Sequence, residues 1–487
     1  MIPGFARARL LLPLADPQRD RRIEDGYVLW RGGTILEVGP YDEPTGQRLL
    51  AEHGTLDVLG GPSAARAPAD LVRHDGVLLP GFVKAHGHDH ESPIIGMVKD
   101  VPLTAWLDGA VNVFTQFLEE HEQRLREQLG DSPHRVTYLK AKVDDVYYGI
   151  TSALTHHCNF SKYRVDELVS AAEEAGTRIV VAVGSQDRMY FERLLDRPPQ
   201  LALDRLDQAW EKHAERERVS IIPGPDQLFS NGPELLRSLK AWARERQTLF
   251  HCHSSEELGT TELFKKEFGK TPVQYAAELG ILDEETILAH QVQTTPEDLA
   301  ILRDTGTRVV HNPLANTILG SGMPPLLEML AAGIPVAIST DGSGSADNQN
   351  ILAAARLASQ YQKALHKDAT VLPAQQVLEM ITVEAARMLR IDAGSLAPGL
   401  AADLVLIDLT RPNLVPTRAD NVVENLIWAS DGSEARFVVA GGRVLKDDHR
   451  IVCVDAAAVG EKVQRLSEEL VAYKRAVGSL KGTGAHR

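Results

Sequence analysis

The chain has 487 residues, of which 43% are hydrophobic, 24% charged and 5% aromatic, the proportions of an ordinary globular protein, which exclude wholesale disorder. Acidic side chains outnumber basic ones 67 to 52, a formal charge of −15 with histidine neutral, so nucleic acid and anionic membranes, which need a basic surface, are not expected partners. The length accommodates one large α/β unit with a smaller satellite.

The chain opens on a short apolar patch with no long apolar run before a small-residue cleavage site, so no secretory leader is expected. The first eighty residues read as β structure. Gly26-Tyr-Val-Leu-Trp30 and Arg31-Gly-Gly-Thr-Ile-Leu-Glu-Val-Gly39 are two short apolar runs joined by a glycine turn, the pattern of a hairpin. Residues 60–69, rich in small residues and proline, read as a loop. From residue 77 onward the pattern changes to short apolar strands alternating with amphipathic helices. Strands are expected at 178–184, 220–223, 248–251, 286–290, 308–311 and 335–341, and helices at 165–175, ended by Gly176, and at 233–242.

Such alternation builds a parallel sheet, and eight units over about 250–300 residues close into a (β/α)8 barrel. After about residue 390 short strands return, at 402–408 and 435–445, followed by a surface helix at 461–477. The expected architecture is α/β: a TIM-like barrel over 79–388 and a small β-sandwich domain built from both termini, 1–78 and 389–487. No apolar run approaches the roughly 18 residues needed to span a bilayer. Three widely spaced cysteines, Cys158, Cys252 and Cys453, predict no disulfide framework and a reducing, cytoplasmic setting.

The densest chemical feature is Ala85-His86-Gly87-His88-Asp89-His90-Glu91, directly after an apolar strand. Side chains alternate in extended structure, so His86 and His88 point to one side and can share a metal at the C-terminal mouth of a barrel strand. A second cluster, Phe250-His251-Cys252-His253-Ser254-Ser255-Glu256, closes another strand. There His251 and His253 share a face, and Glu256 sits in the following loop as a proton carrier that is not itself a ligand. His290, His311 and Asp341 end three further strands. A lone histidine at a strand end is usually a hydrogen-bonded core residue, but two independent clusters at strand ends argue for a site, and an acidic residue such as Asp341 is costly there without a cation or donor. His53, His121, His213 and His366 lie in polar or helical text and are expected on the surface.

Several stretches in chain order carry a family resemblance. They are Leu79-Pro-Gly-Phe-Val-Lys-Ala-His-Gly-His88, Asp100-Val-Pro-Leu-Thr-Ala-Trp-Leu107, Gly149-Ile-Thr-Ser152 and His253-Ser-Ser-Glu256. Leu288-Ala-His290, Asn316 with Leu319-Gly-Ser-Gly322, Ser339-Thr-Asp-Gly342 and Gly394-Ser-Leu-Ala-Pro-Gly-Leu-Ala-Ala-Asp403 follow. The chain resembles the amidohydrolase superfamily, in the branch of cytosine, guanine and methylthioadenosine deaminases and s-triazine hydrolases.

That resemblance implies that His86, His88, His253 and Asp341 ligate one divalent metal. Zinc is the expected ion, and the donor set also suits Fe2+ or Mn2+. It implies further that Glu256 shuttles protons, that His290 polarises or orients the substrate and that Asp341 accepts a proton. Binuclear relatives bridge two metals with a lysine on strand four. The stretch 178–184, taken as that strand, has no lysine, so a single ion is expected. His90, His157 (rather than His156), His311 and Asn316 are the expected substrate-binding residues, and Cys252 should face away from the metal. Ile95 and Gln293 replace an arginine and a histidine carried by relatives, and Ile95 weakens a nucleoside reading.

The expected function is hydrolytic deamination of an amino-substituted purine, pyrimidine, pterin or triazine, releasing ammonia. The alternative is removal of chloride or an alkylamine, or opening of a cyclic amide, on the same site. The expected partner is a small heterocyclic substrate, with the chain in a homodimer or larger homo-oligomer.

Overall fold

A computed structural model describes residues 1–15 and 22–478 of the chain. At its centre run eight strands: β1 (Phe82–Lys84), β2 (Ile150–His157), β3 (Arg178–Ser185), β4 (Val219–Pro225), β5 (Phe250–Ser254), β6 (Thr286–His290), β7 (Arg308–His311) and β8 (Val336–Ile338). The first four and the last four each pair in order as a parallel sheet. The two halves meet at both edges. Between β4 and β5, His253 N donates to Asp226 O at 3.2 Å. Between β8 and β1, His86 N donates to Ser339 Oγ at 3.1 Å, and the Ser339 hydroxyl donates to the His86 carbonyl at 2.6 Å. The result is the barrel that the alternation predicted.

The strands read as nearly continuous apolar runs because both of their faces are buried. Val83, Leu154, Val180, Ala182, Ile222, Ile287, Val310 and Ala337 form the barrel interior. Their neighbours Ile179, Val181, Ile221, Phe250, Leu288, Val309 and Ile338 face the surrounding helices. The helix Val165–Ala175 ends where expected, with Gly176 in the left-handed region at φ 83°.

Counting the strands requires one correction. After β1 come two long helices, Asn112–Leu129 and Pro133–Tyr147, so the chain returns to the barrel only at Ile150. That strand, begun by Gly149-Ile-Thr-Ser152, is therefore the second and Arg178–Ser185 the third. The fourth is Val219–Pro225, which also contains no lysine.

Among the described residues, both ends of the chain join one nine-stranded sheet. Its central pairing, Leu404–Asp408 antiparallel to His74–Pro80, ties the C-terminal strands to the N-terminal ones. One enclosed core draws on both, with Ala6, Val28 and Leu78 against Leu404, Leu406 and Phe437. The hairpin Ile23–Arg31/Thr34–Pro40 turns at Gly32-Gly33 as its glycines required. Within the N-terminal β text lies an unexpected helix, Glu43–His53, capped by the Asp42 carboxylate accepting from Thr45 N at 2.8 Å and carrying proline in its first turn.

The C-terminal helix Ala456–Val477 is not purely a surface element, since Leu466 and Leu470 pack among Phe114, Phe117 and Leu118. His213 is buried and bonded to Asp166 at 2.7 Å, against the surface position expected for it. Among the described residues, no helix is long and apolar enough to cross a membrane.

Candidate active site

Each residue of the histidine-carboxylate cluster comes from the C-terminal end of a barrel strand. β1 ends at Lys84, the chain bends at Ala85 and His86, and His88 is extended again at φ −131°, which leaves the rings of His86 and His88 on one side with centroids 4.9 Å apart. His88 Nε2 and His253 Nε2 face each other at 3.1 Å. Asp341 Oδ1 lies 3.3 Å from His86 Nε2 and 3.5 Å from His88 Nε2. Asp341 and His290 hold left-handed backbone conformations, φ 69° and 77°. Strained positions of this kind are tolerated where the surrounding structure imposes them, commonly at functional sites.

A second layer orients the rings. His88 Nδ1 donates to the His156 carbonyl at 3.0 Å and His253 Nδ1 to the Asp226 carbonyl at 2.6 Å. In each neutral ring this leaves Nε2 unprotonated and directed at the cluster. His86 Nδ1 lies 3.1 Å from His251 Nε2, so His251 supports His86 from one layer deeper in the barrel. Burial lowers His88 to about 3 and His86 well below its ordinary value, keeping the metal-binding neutral form. His86 Nε2 is buried with no hydrogen-bond partner. Donor atoms of His86, His88 and Asp341, and of His86, His253 and His290, lie within 4.8 Å of one another. An unpartnered buried nitrogen among converging nitrogen and carboxylate donors fits a divalent ion of the zinc, iron or manganese type.

Glu256 stands beside this cluster. Its Oε2 accepts from Gln227 Nε2 at 3.3 Å and lies 3.7 Å from His290 Nε2, and burial pushes the carboxyl up to about 8. His290 Nε2 is also 3.8 Å from Asp341 Oδ2, while its Nδ1 donates to Asn316 Oδ1 at 2.9 Å. The cavity over these groups is about 70 Å³ and is covered by Leu103, Trp106 and Leu107. That is well below the ~300 Å³ of a typical ligand pocket, so admitting a heterocycle requires the covering segment to move. A larger cavity of about 710 Å³, with Trp30 and Phe437 in its wall, lies against the terminal sheet and carries none of these histidines.

His86, His88, His253, Glu256, His290 and Asp341 thus come together as expected, while four other expectations need correcting. His90 does not reach the cavity. The extended backbone gives way at Asp89 to the short helical turn Asp89–Ile94, and the His90 ring turns instead to Asn159 Nδ2 at 3.1 Å. Of the pair on β2, His156 faces the barrel interior with Leu154, its ring 4.5 Å from that of His253. His157 lies on the helix side against Tyr138, centroids 5.1 Å apart. His311 is buried at the end of β7 outside the cavity wall, with neither ring nitrogen hydrogen-bonded. Asn316 holds His290 and does not line the cavity. Cys252 packs with the helix-side core, as expected.

Asp226 and Gln227 were missed, although their place directly after β4 is the same signal that marked His290 and Asp341. Glu91 also lines the cavity; its oddity was visible in the sequence, its position was not.

Beneath the site, four buried charges link β1 to the helix Pro133–Tyr147. Lys84 Nζ is 2.6 Å from Asp145 and 3.5 Å from Asp89, and Lys142 Nζ is 2.8 Å from each of the same two carboxylates. Lys142→Met leaves two buried carboxylates sharing one ammonium and is expected to cost about 3–5 kcal/mol of stability. The shift of the urea midpoint measures it, and a loss under ~1 kcal/mol would mean that the knot contributes little.

Residues 77–445 match the model of the Amidohydrolase family. The chain is 32% identical over 472 residues to the 5-methylthioadenosine/S-adenosylhomocysteine deaminase of Caldanaerobacter subterraneus subsp. tengcongensis, covering 94% of this chain and 97% of that one. It is 29% identical over 448 residues to the 5'-deoxyadenosine deaminase of Methanothermobacter thermautotrophicus, covering 92% and 100%. Among solved structures, an adenosine deaminase from Xanthomonas campestris with bound zinc superposes with a TM-score of 0.80 at 20% identity, covering 97% and 99%.

Proposed function

The chain belongs to the amidohydrolase family, and from that premise we propose that it is a metal-dependent aminohydrolase that replaces the amino group of an aminopurine by oxygen and releases ammonia. One observation carries the reading: His86, His88, His253 and Asp341 converge beside Glu256 and His290, and all of these but His86 line one cavity. The full-length relatives named for deamination of adenosine-type nucleosides support the purine class. We assign a single zinc ion, since β4 offers no lysine to bridge a second. The three unpaired cysteines favour a cytoplasmic enzyme.

His86, His88, His253 and Asp341 would hold the ion, which when bound supplies the Lewis acidity that makes water nucleophilic near neutral pH. The chain's own groups handle the protons. Glu256, kept protonated by burial, gives its proton to the ring nitrogen next to the amino-bearing carbon as water attacks that carbon, and Asp341 takes a proton from the water. On collapse, Glu256 recovers a proton from the new hydroxyl as it becomes the carbonyl, and Asp341 returns its own to the departing amine. Both residues end in their starting states. His290, held by Asn316, orients the developing tetrahedral centre.

The test is an ammonia-release assay on adenosine, 5'-deoxyadenosine, methylthioadenosine and free aminopurines, with metal measured on the same sample. The expected outcome is one ammonia per turnover and about one zinc per chain. Chloride or alkylamine release from triazines, with no ammonia from any aminopurine, would overturn the reading.

A further inference from the structure

Glu91 is 3% exposed and lines the same cavity as His88, Glu256 and Asp341. All of its hydrogen bonds fall on one oxygen. Gly344 N at 3.1 Å, Ser345 N at 2.9 Å and Ser345 Oγ at 3.0 Å donate to Oε2. The loop following Asp341 is shaped to seat this carboxyl. A Cβ on Gly342 would fall 2.0 Å from Oε2, and one on Gly344 would fall 2.6 Å from Ile94 Cγ1, so the close approach requires both glycines. Among the described residues no donor meets the other oxygen, Oε1. Oε1 thus keeps its acceptor capacity open at the cavity wall, where an N–H of a ligand can meet it.

The remaining carboxyls of the wall already have tasks. Asp341 belongs to the metal set and Glu256 to proton transfer. Asp226 holds His253 through its carbonyl and Tyr190 through its carboxylate. Among the described residues no lysine or arginine lines the cavity, so an anionic ligand finds no side-chain cation there to pair with.

We propose that Glu91 selects the substrate, with Oε1 accepting an N–H of a heterocycle that carries a second exocyclic amino group besides the amino group removed, while anionic ligands are rejected. The proposal rests on the deaminase reading and narrows it to donor-rich, uncharged or cationic rings. Burial holds the unliganded carboxyl up to about 8, and N–H donors brought by such a ring favour its charged form.

The test measures binding apart from turnover. In the metal-loaded Glu256→Gln protein, calorimetry compares adenine with 2,6-diaminopurine, which differ by one amino group, and adenosine with its 5'-monophosphate. The expected result is that 2,6-diaminopurine binds at least tenfold more tightly than adenine, and adenosine at least tenfold more tightly than the monophosphate. Adding Glu91→Gln, which presents an N–H to the ligand, should bring the diaminopurine-to-adenine ratio within threefold. Ser345→Ala, which removes one of the three donors seating Glu91, should lower the same ratio two- to fivefold and serves if the Glu91 variant does not fold.

A purely structural Glu91 would change stability and leave the ratio alone. Failure of 2,6-diaminopurine to bind, equal affinities in the parent protein, or a ratio that neither variant moves overturns the proposal. The deaminase reading is decided separately. Absence of ammonia from the wild-type protein sinks that reading, whereas ammonia release with an unmoved ratio sinks only the role of Glu91.

Discussion

Replacing Glu256 by glutamine is expected to cut turnover at least ~10²-fold, the minimum typical of a lost general acid-base, in a protein that still holds its metal. Glutamine has nearly the size of glutamate and accepts the hydrogen bond from Gln227 through its amide oxygen, so the wall should keep its shape. It cannot release a proton to a ring nitrogen. The metal set is untouched, because Glu256 lies 3.7 Å from His290 and supplies no donor to the His86, His88 and Asp341 group. Steady-state kinetics with elemental analysis on the same sample checks both halves. Wild-type turnover with metal bound would remove Glu256 from the mechanism, and loss of metal would place it among the ligands.

Asp341→Asn is expected to lose both metal and activity. Asp341 Oδ1 is the carboxylate oxygen common to His86 Nε2 and His88 Nε2, at 3.3 and 3.5 Å. An amide has nearly the same shape but supplies no negative charge to a divalent ion and accepts no proton from water. Even groups that only support metal ligands are commonly worth 10–100-fold in affinity or activity, and a proton acceptor adds about 10²–10⁴-fold in rate, so turnover should fall by more than ~10³-fold. Metal titration monitored by elemental analysis, together with kcat at saturating zinc, separates the two contributions. A variant that binds zinc as the parent does would show that the three histidines suffice, and that Asp341 acts in proton transfer alone.

The strand-end residues were legible because their signal is local. An apolar run that ends in His86-Gly87-His88, in His253 with Glu256 nearby, in His290 or in Asp341 shows where a barrel strand reaches the mouth, and side-chain alternation then sets which residues share a side. The hairpin at Gly32-Gly33 and the helix stop at Gly176 were legible for the same reason: each depends on a backbone conformation that one residue type adopts readily.

Orientation beyond a strand's end was not legible. His90 would have continued the alternation of His86 and His88, but the backbone leaves the extended form at Asp89, whose carboxylate is drawn to the buried Lys142 from a helix fifty residues on. His156 and His157 are adjacent and alike, and only the register of β2 against β3 decides which one enters the barrel. Glu91 acquired its place from Gly342, Gly344 and Ser345, some 250 residues away.

By itself, then, the chain's text determined the barrel and the joining of both termini in one β domain, because short-range periodicity and turn chemistry encode them, and it marked the strand ends from which the family resemblance picked out six residues for the chemistry. Only the tertiary structure decided which polar groups face the cavity and which lie behind it. Those choices depend on charges and backbone donors that distant segments bring into contact, and spacing along the chain carries no trace of such contacts.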